Sequence, residues 1–243
     1  MHTITWATER RGLVALAIIA ATGCALVLGA CSSSSPPSAS PTGTGTPAQN
    51  YTAHALNLVS SDFPSSWKTL PSTGGPNVVR SSLNGCAVEE HAPKPATVAV
   101  SKNFLESSSG QEVGSQVQVF DEAHQATTTA TTAGGSAVSS CLAPVVKSGL
   151  SATLTSQETV TGVTANVVPP HNTGPHAFAQ QVVATISYPD KTGKTSTLDV
   201  YVLVEGFANG AAAVEAEFEQ PGSPPSAAQV SSTMATLVQR AHA

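Results

Sequence analysis

Basic side chains are few and scattered in this chain, with 10 Lys and Arg against 15 Asp and Glu in 243 residues. No basic stripe forms on any segment, which argues against nucleic acid as a partner. Recognisable catalytic constellations are missing as well. There is no G-x-S-x-G elbow, no H-x-x-x-H, and no C-x-x-C. Gly74-Gly75 and Gly134-Gly135 lack the flanking residues of a phosphate cradle. Aromatic residues make up only 5% of the chain. Trp67, Tyr188, Tyr201 and the phenylalanines are therefore expected in the core rather than around a ligand. The histidines His54, His91, His124, His171 and His176 are not spaced as convergent ligands, so no metal site and no cofactor are expected, and they read as solvated loop residues.

The most informative segment is the N-terminus. Arg10 and Arg11 precede an apolar run from Leu13 to Ala30 that ends Leu28-Gly29-Ala30-Cys31. A positive start followed by an apolar stretch is the layout of an export signal. Small residues immediately before a cysteine suit lipoprotein signal peptidase, so residues 1–30 are expected to be removed and Cys31 lipidated. An uncleaved membrane helix is the alternative, since the run approaches the ~20 residues needed to span, but it leaves Cys31 at the boundary unexplained. Cleavage before Cys24 is disfavoured because Ala21, not a branched residue, stands three positions upstream. The arginine pair also partly matches a twin-arginine signal. Each buried CH₂ of an acyl chain contributes ~0.8 kcal/mol, so two or three chains would hold the protein on the extracytoplasmic face of the cell membrane.

Residues 31–50 carry no charge and no apolar periodicity, and Ser, Pro, Thr and Gly bury too little surface to offset chain entropy. A disordered spacer is expected there. Residues 51–243 have the length of a single domain. Without Glu9, Arg10 and Arg11 the net charge falls from −5 to −6. No second apolar run is long enough to span a bilayer. Two cysteines remain, Cys86 and Cys141. An exported chain meets an oxidising compartment, so they are expected to form a disulfide that stabilises by about 4 kcal/mol through loop closure.

Within the domain, residues 53–59 suggest a short helix, and Ser61 to Trp67 a turn leading into an extended stretch. Val98 with Val100, and Val113 with Val117 and Val119, alternate as in strands. Asp121 is a candidate N-cap. Ala126, Ala130, Ala133, Ala137, Cys141 and Val145 then recur at helical spacing, which would bury Cys141. Residues 151–168 suggest two short strands. Phe178 to Tyr188, and Leu198 to Val204, alternate as strands around a Pro189–Gly193 turn, and Asn209-Gly210 signals a hairpin. Val214, Ala216 and Phe218 alternate with Glu215, Glu217 and Glu219, which predicts a strand with an acidic, solvated face. Val230, Met234, Leu237 and Ala241 mark a final amphipathic helix. The expected class is α+β, an antiparallel sheet with helices packed mainly on one face.

The pattern Leu58-x-x-x-Asp62-x-Pro64-x-x-Trp67, the segment ending Ser140-Cys141-Leu142 and the sheet-plus-helix ending at Arg240 resemble small exported actinobacterial lipoproteins. Among these are relatives of the extracellular sensor domain of mycobacterial serine/threonine protein kinases. The resemblance implies an α+β ligand- or partner-binding module with a cleft and two disulfides, of which this chain has cysteines for one. It supplies no catalytic residues.

Ser65-Ser66-Trp67-Lys68 and Lys191-Thr192-Gly193 match the S-x-x-K and K-T-G of penicillin-recognising serine enzymes, although no S-D-N follows Ser61-Asp62. The leading expectation is a non-enzymatic, lipid-anchored ligand-binding or sensor-like domain that takes an unknown small ligand or envelope protein. An envelope assembly or structural protein is the alternative. A serine acyl-enzyme using Ser65, Lys68 and Lys191 is the remote one.

Overall fold

The computed structural model describes residues 47–70 and 93–242. The expected signal, Cys31, most of the spacer, Cys86 and His91 lie outside the described residues. The first helix, α1 (Pro47–Leu56), begins inside the expected spacer, with Pro47 at the position where a missing N–H costs nothing. A 3₁₀ turn at Ser60–Asp62 leads to β1 (Trp67–Thr69). Then come β2 (Thr97–Val100), β3 (Phe104–Glu106) and β4 (Gln111–Val119). Two helices follow, α2 (Ala123–Ala133) and α3 (Ser136–Thr153). Four long strands, β5 (Thr159–Val167), β6 (Phe178–Pro189), β7 (Thr195–Asn209) and β8 (Ala212–Pro221), precede α4 (Ala227–His242).

The eight strands form one antiparallel sheet in the order β1-β3-β4-β8-β7-β6-β5, with β2 also paired to β4. The α+β class and the antiparallel sheet are as expected, but the helices divide between both faces instead of sitting mainly on one. On one face, Ala126, Ala130, Val138, Leu142 and Val146 of α2 and α3 pack on Val182, Ala184, Ile186, Val202 and Val204. On the other, Ala53 of α1 and Val230, Met234 and Leu237 of α4 pack on Val113, Val117, Leu203, Phe207 and Phe218. The reason lies in β7, where Val200, Val202, Leu203, Val204, Phe207 and Ala208 are all buried. A central strand apolar on both sides needs a layer on each.

Three other local expectations shift. Gly134-Gly135 splits the expected helix in two, and the phase resets across the break. Val138, Leu142, Val146 and Leu150 are buried, whereas Ala137 is exposed and Cys141 only half-buried. Cys141 is nonetheless disulfide-bonded. Glu122, not Asp121, caps α2, with the Gln125 side chain accepting from its backbone N–H at 3.2 Å. The two short strands expected over 151–168 are one strand, β5, with a bulge between Val160 and Gly162, because α3 continues to Thr153. Among the described residues, no helix is long and apolar enough to cross a membrane.

Candidate functional site

Strand register decides what gathers on the face that carries α2 and α3. β4 and β8 pair so that Glu112 lies opposite Glu219, Gly114 opposite Glu217, and Gln116 opposite Glu215. Residues two apart share a face, so Glu112 and Gln116 of β4 stand with Glu215, Glu217 and Glu219 of β8. The next strand brings Gly206, Val204 and Val202 to the same three rows. On the far side, Leu105 of β3 borders Glu112 and Val100 of β2 borders Gln116. Gly114 contributes no side chain at the middle row.

On β8, Glu215 is half-buried, but Glu217 and Glu219 are not solvated, contrary to the alternation argument. Glu217 is 8% exposed, Glu219 5% and Glu112 5%. Removing a carboxylate from water disfavours its charged form. Burial accordingly pushes the Glu112 carboxyl up to about 7. Burial, with the negative charges of Glu215 and Glu112, pushes Glu217 up to about 8. Glu219 is raised well above the ordinary range by burial and by Glu112 and Glu217.

The amide of Gln116 lies in the same row and is fully buried. Its Nε2 donates to Glu215 Oε1 at 3.1 Å. Its Oε1, and Oε2 of Glu112, are buried with no donor. Both unfilled atoms are acceptors beside carboxyl groups whose raised values keep a proton on them near neutral pH, and a protonated carboxyl can donate. Neither β4 nor β8 contains a Lys or Arg. Leaving a buried polar atom unmatched costs roughly 1–3 kcal/mol, a cost that functional sites tolerate more often than structural ones.

Two buried polar groups elsewhere on the sheet give the contrast. Gln180 faces the α2–α3 break, where its Oε1 accepts from Ser139 Oγ at 2.6 Å. Its Nε2 donates to the carbonyls of Ala133 at 2.9 Å and Gly135 at 3.1 Å. Glu205, on the opposite face, is fully buried. It accepts from His171 N and Asn172 Nδ2, each at 2.8 Å, and its Oε2 lies 2.9 Å from His171 Nδ1. These side chains pin a helix break and the loop after β5, and their hydrogen bonds account for them. The unmatched acceptors of the row on β4 and β8 have no such account.

The residues singled out for acyl-enzyme chemistry are not brought together. Ser65 sits in an exposed turn before β1, at one edge of the sheet, with Lys68 exposed on β1. Lys191 lies in the turn between β6 and β7, four strand spacings or more away, which is roughly 20 Å at the usual interstrand distance. The histidines are not all loop residues. His54 lies in α1 and His124 in α2, the latter 3.0 Å from Glu122, and His171 is held by Glu205. Among the described residues, no group of three His, Cys, Asp or Glu is arranged to hold a metal ion. The phenylalanines pack as core, Phe63 stacking on Phe104 at 4.6 Å and meeting Trp67 at a tilt at 4.7 Å, whereas Trp67, Tyr188 and Tyr201 are only half-buried.

The row was hidden in the sequence because strand pairing is not local. Its one visible trace is that Glu112, Gln116 and Gln118 share parity along β4, as do the three glutamates along β8, with no basic residue in either strand. No family model and no curated protein matches the chain.

Proposed function

We propose that this chain is a lipid-anchored binding module on the extracytoplasmic face of the cell membrane, non-enzymatic, which takes its ligand at the acidic row of β4 and β8. Cys31 would carry the acyl chains and residues 32–46 the spacing from the membrane. Cys86 would close the disulfide with Cys141. The observation that carries the ligand-binding reading is the buried set of Glu112, Gln116, Glu217 and Glu219, in which Oε2 of Glu112 and Oε1 of Gln116 have no hydrogen-bond partner among the described residues. A strand pair that keeps acceptors unmatched in its interior is suited to receive donors from outside the chain. Binding is favoured over an assembly role by the surface. Among the described residues, the exposed large apolar side chains are Val59 and Val167, which lie in different elements and make no broad patch.

The experiment is the intact mass of the full-length product extracted from membranes of a lipoprotein-processing host, combined with native mass spectrometry for small molecules retained by the domain. The expected product has lost residues 1–30, carries acyl chains on Cys31 and has two hydrogens fewer than the dithiol. It also retains a small molecule that the Glu217→Gln variant releases. A cytosolic, unacylated chain with residues 1–30 attached would overturn the anchoring. Identical occupancy in wild type and Glu217→Gln would overturn the assignment of the site.

A further inference from the structure

The two ends of the sheet are finished differently. At one end the outer strands are short, three residues in β1, which carries Lys68, and four in β2. Short strands and lysines are the usual guards of a sheet edge, because an unpaired row of N–H and C=O groups otherwise templates another strand. At the other end stands β5, nine residues from Thr159 to Val167, with neither a charge nor a proline in its length. Its one guard is the bulge between Val160 and Gly162. From Gly162 to Val167 the strand pairs regularly with β6 on one side. On the other side its backbone groups have no hydrogen-bond partner among the described residues.

The direction of those groups follows from the end of the strand. The N–H of Val168 donates to the Ala179 carbonyl of β6 at 3.1 Å. Successive residues of an antiparallel strand turn their N–H and C=O alternately to either side, so Val163, Ala165 and Val167 turn theirs outward. The side chains of the same three residues share the face that carries α3. There Val163 and Ala165 are half-buried against the core. Val167 is 49% exposed, although its β6 neighbour Gln180 is buried beneath the α2–α3 break. Val160, near the start of β5, is buried. The cover over this face therefore reaches the edge at the Val160 end and stops short of it at the Val167 end.

We infer that β5 is a homodimer interface, pairing antiparallel with β5 of a second copy about a two-fold axis at Ala165. Ala165 then faces Ala165 of the second copy, and Val163 faces its Val167. All three outward residues of each copy are matched, each pair exchanging two hydrogen bonds. Any extended peptide could bond such a backbone; what selects a second copy is the match of the edge to itself. Val167, one of two exposed large apolar side chains among the described residues, is covered by a β-branched neighbour, a favourable cross-strand pair. The open end of each copy meets the covered end of the other, which is the self-complementarity of an isologous contact. Centring the axis on Thr164 instead would set Val167 against the bulge. No charge enters the contact, so an acidic chain meets its copy here without like charges opposed. Main-chain bonds, not a broad apolar patch, carry the association, and it does not depend on the ligand-binding reading.

The test is sedimentation equilibrium of the full chain in density-matched detergent over a range of concentrations. The expected result is a reversible monomer–dimer equilibrium. Ala165→Pro removes an N–H that bonds nothing within the described residues, and an edge strand tolerates proline at such a position. It should weaken the dimer at least tenfold, because the pair on the axis loses both of its hydrogen bonds. Val167→Lys changes an exposed side chain and sets a charge against Val163 of the second copy. It should weaken the dimer as much, which guards against a folding defect in the proline variant. Val59→Lys, at the other exposed large apolar residue, should leave it unchanged. A dimer indifferent to Ala165→Pro and Val167→Lys, or assembly beyond the dimer, would overturn the interface. So would a monomer at every concentration. Protection of the Val163, Ala165 and Val167 amides from exchange would then assign the edge to another segment of the same chain, and free exchange would assign it to a partner of different sequence.

Discussion

A glutamate that remains largely protonated at neutral pH makes stability depend on pH in a definite direction. The folded-state values of Glu112 and Glu217, about 7 and about 8, lie above the ordinary 4.5. The unfolded chain therefore releases these protons first. The stability they contribute is complete below about pH 4.5 and is lost as the pH rises through 7 to 8. At ~1.4 kcal/mol per unit, the rise of Glu112 from 4.5 to about 7 alone corresponds to about 3.5 kcal/mol. Thermal unfolding of ligand-free protein should thus give a lower Tm at pH 8.5 than at pH 5, and Glu217→Gln should flatten the difference. A Tm that rises over this interval would contradict the burial of these groups. Sequence reading erred at these residues for a physical reason. Alternation of Glu with Val, Ala and Phe ordinarily marks a strand with one wet face. Whether that face is wet depends on partners, and β4 lies about a hundred residues away.

At the level of elements, the alternating strands, the hairpin at Asn209-Gly210 and the final helix were legible because each rests on neighbours in sequence. Gly210 adopts the positive φ of 54° that the hairpin signal implies. The break between α2 and α3 was less legible, since Gly134-Gly135 lowers helix propensity without saying whether the helix bends or ends. Packing supplies the answer. The Gln180 amide holds the carbonyls of Ala133 and Gly135. A Cβ on Gly134 would stand 2.8 Å from Cβ of Phe178, a backbone-proximal atom that cannot swing aside. Although alanine is the better helix former by roughly 1 kcal/mol, Gly134→Ala should lower stability by about 1–3 kcal/mol through overpacking. Chemical denaturation with an unchanged m-value would report it. A stabilised variant would show that the break is set by propensity, not by the sheet beneath it.

Across the whole molecule, the first and last described elements are fastened to each other. Arg240 near the end of α4 makes a bidentate pair with Asp62, with Nη1 at 2.9 Å from Oδ2 and Nη2 on Oδ1, and Nη1 also donates to the Asn57 carbonyl at 2.7 Å. Asn57 is tied onward to the sheet, because Ser115 Oγ donates to its Oδ1 at 2.8 Å and accepts from Leu58 N at 2.9 Å. The sequence displayed Asp62 and Arg240 as separate marks of a resemblance. Their 178-residue separation concealed that they are one contact. In the proposed tethered state the spacer joins the domain at Pro47, so any pull from the membrane enters through α1 and meets this clasp first. Charge-assisted bidentate bonds contribute more than neutral ones, about 1.5–3 kcal/mol. The Arg240 side chain keeps 26% exposure, which screens the pair and places the expected loss at the lower end of that range. Arg240→Gln should therefore lower the unfolding free energy by about 1.5 kcal/mol and raise amide exchange locally, over residues 57–63, while the protection of β6 and β7 stays unchanged. Uniform deprotection of the sheet would mean that the clasp belongs to the global core instead of securing the end at which the proposed anchor would pull.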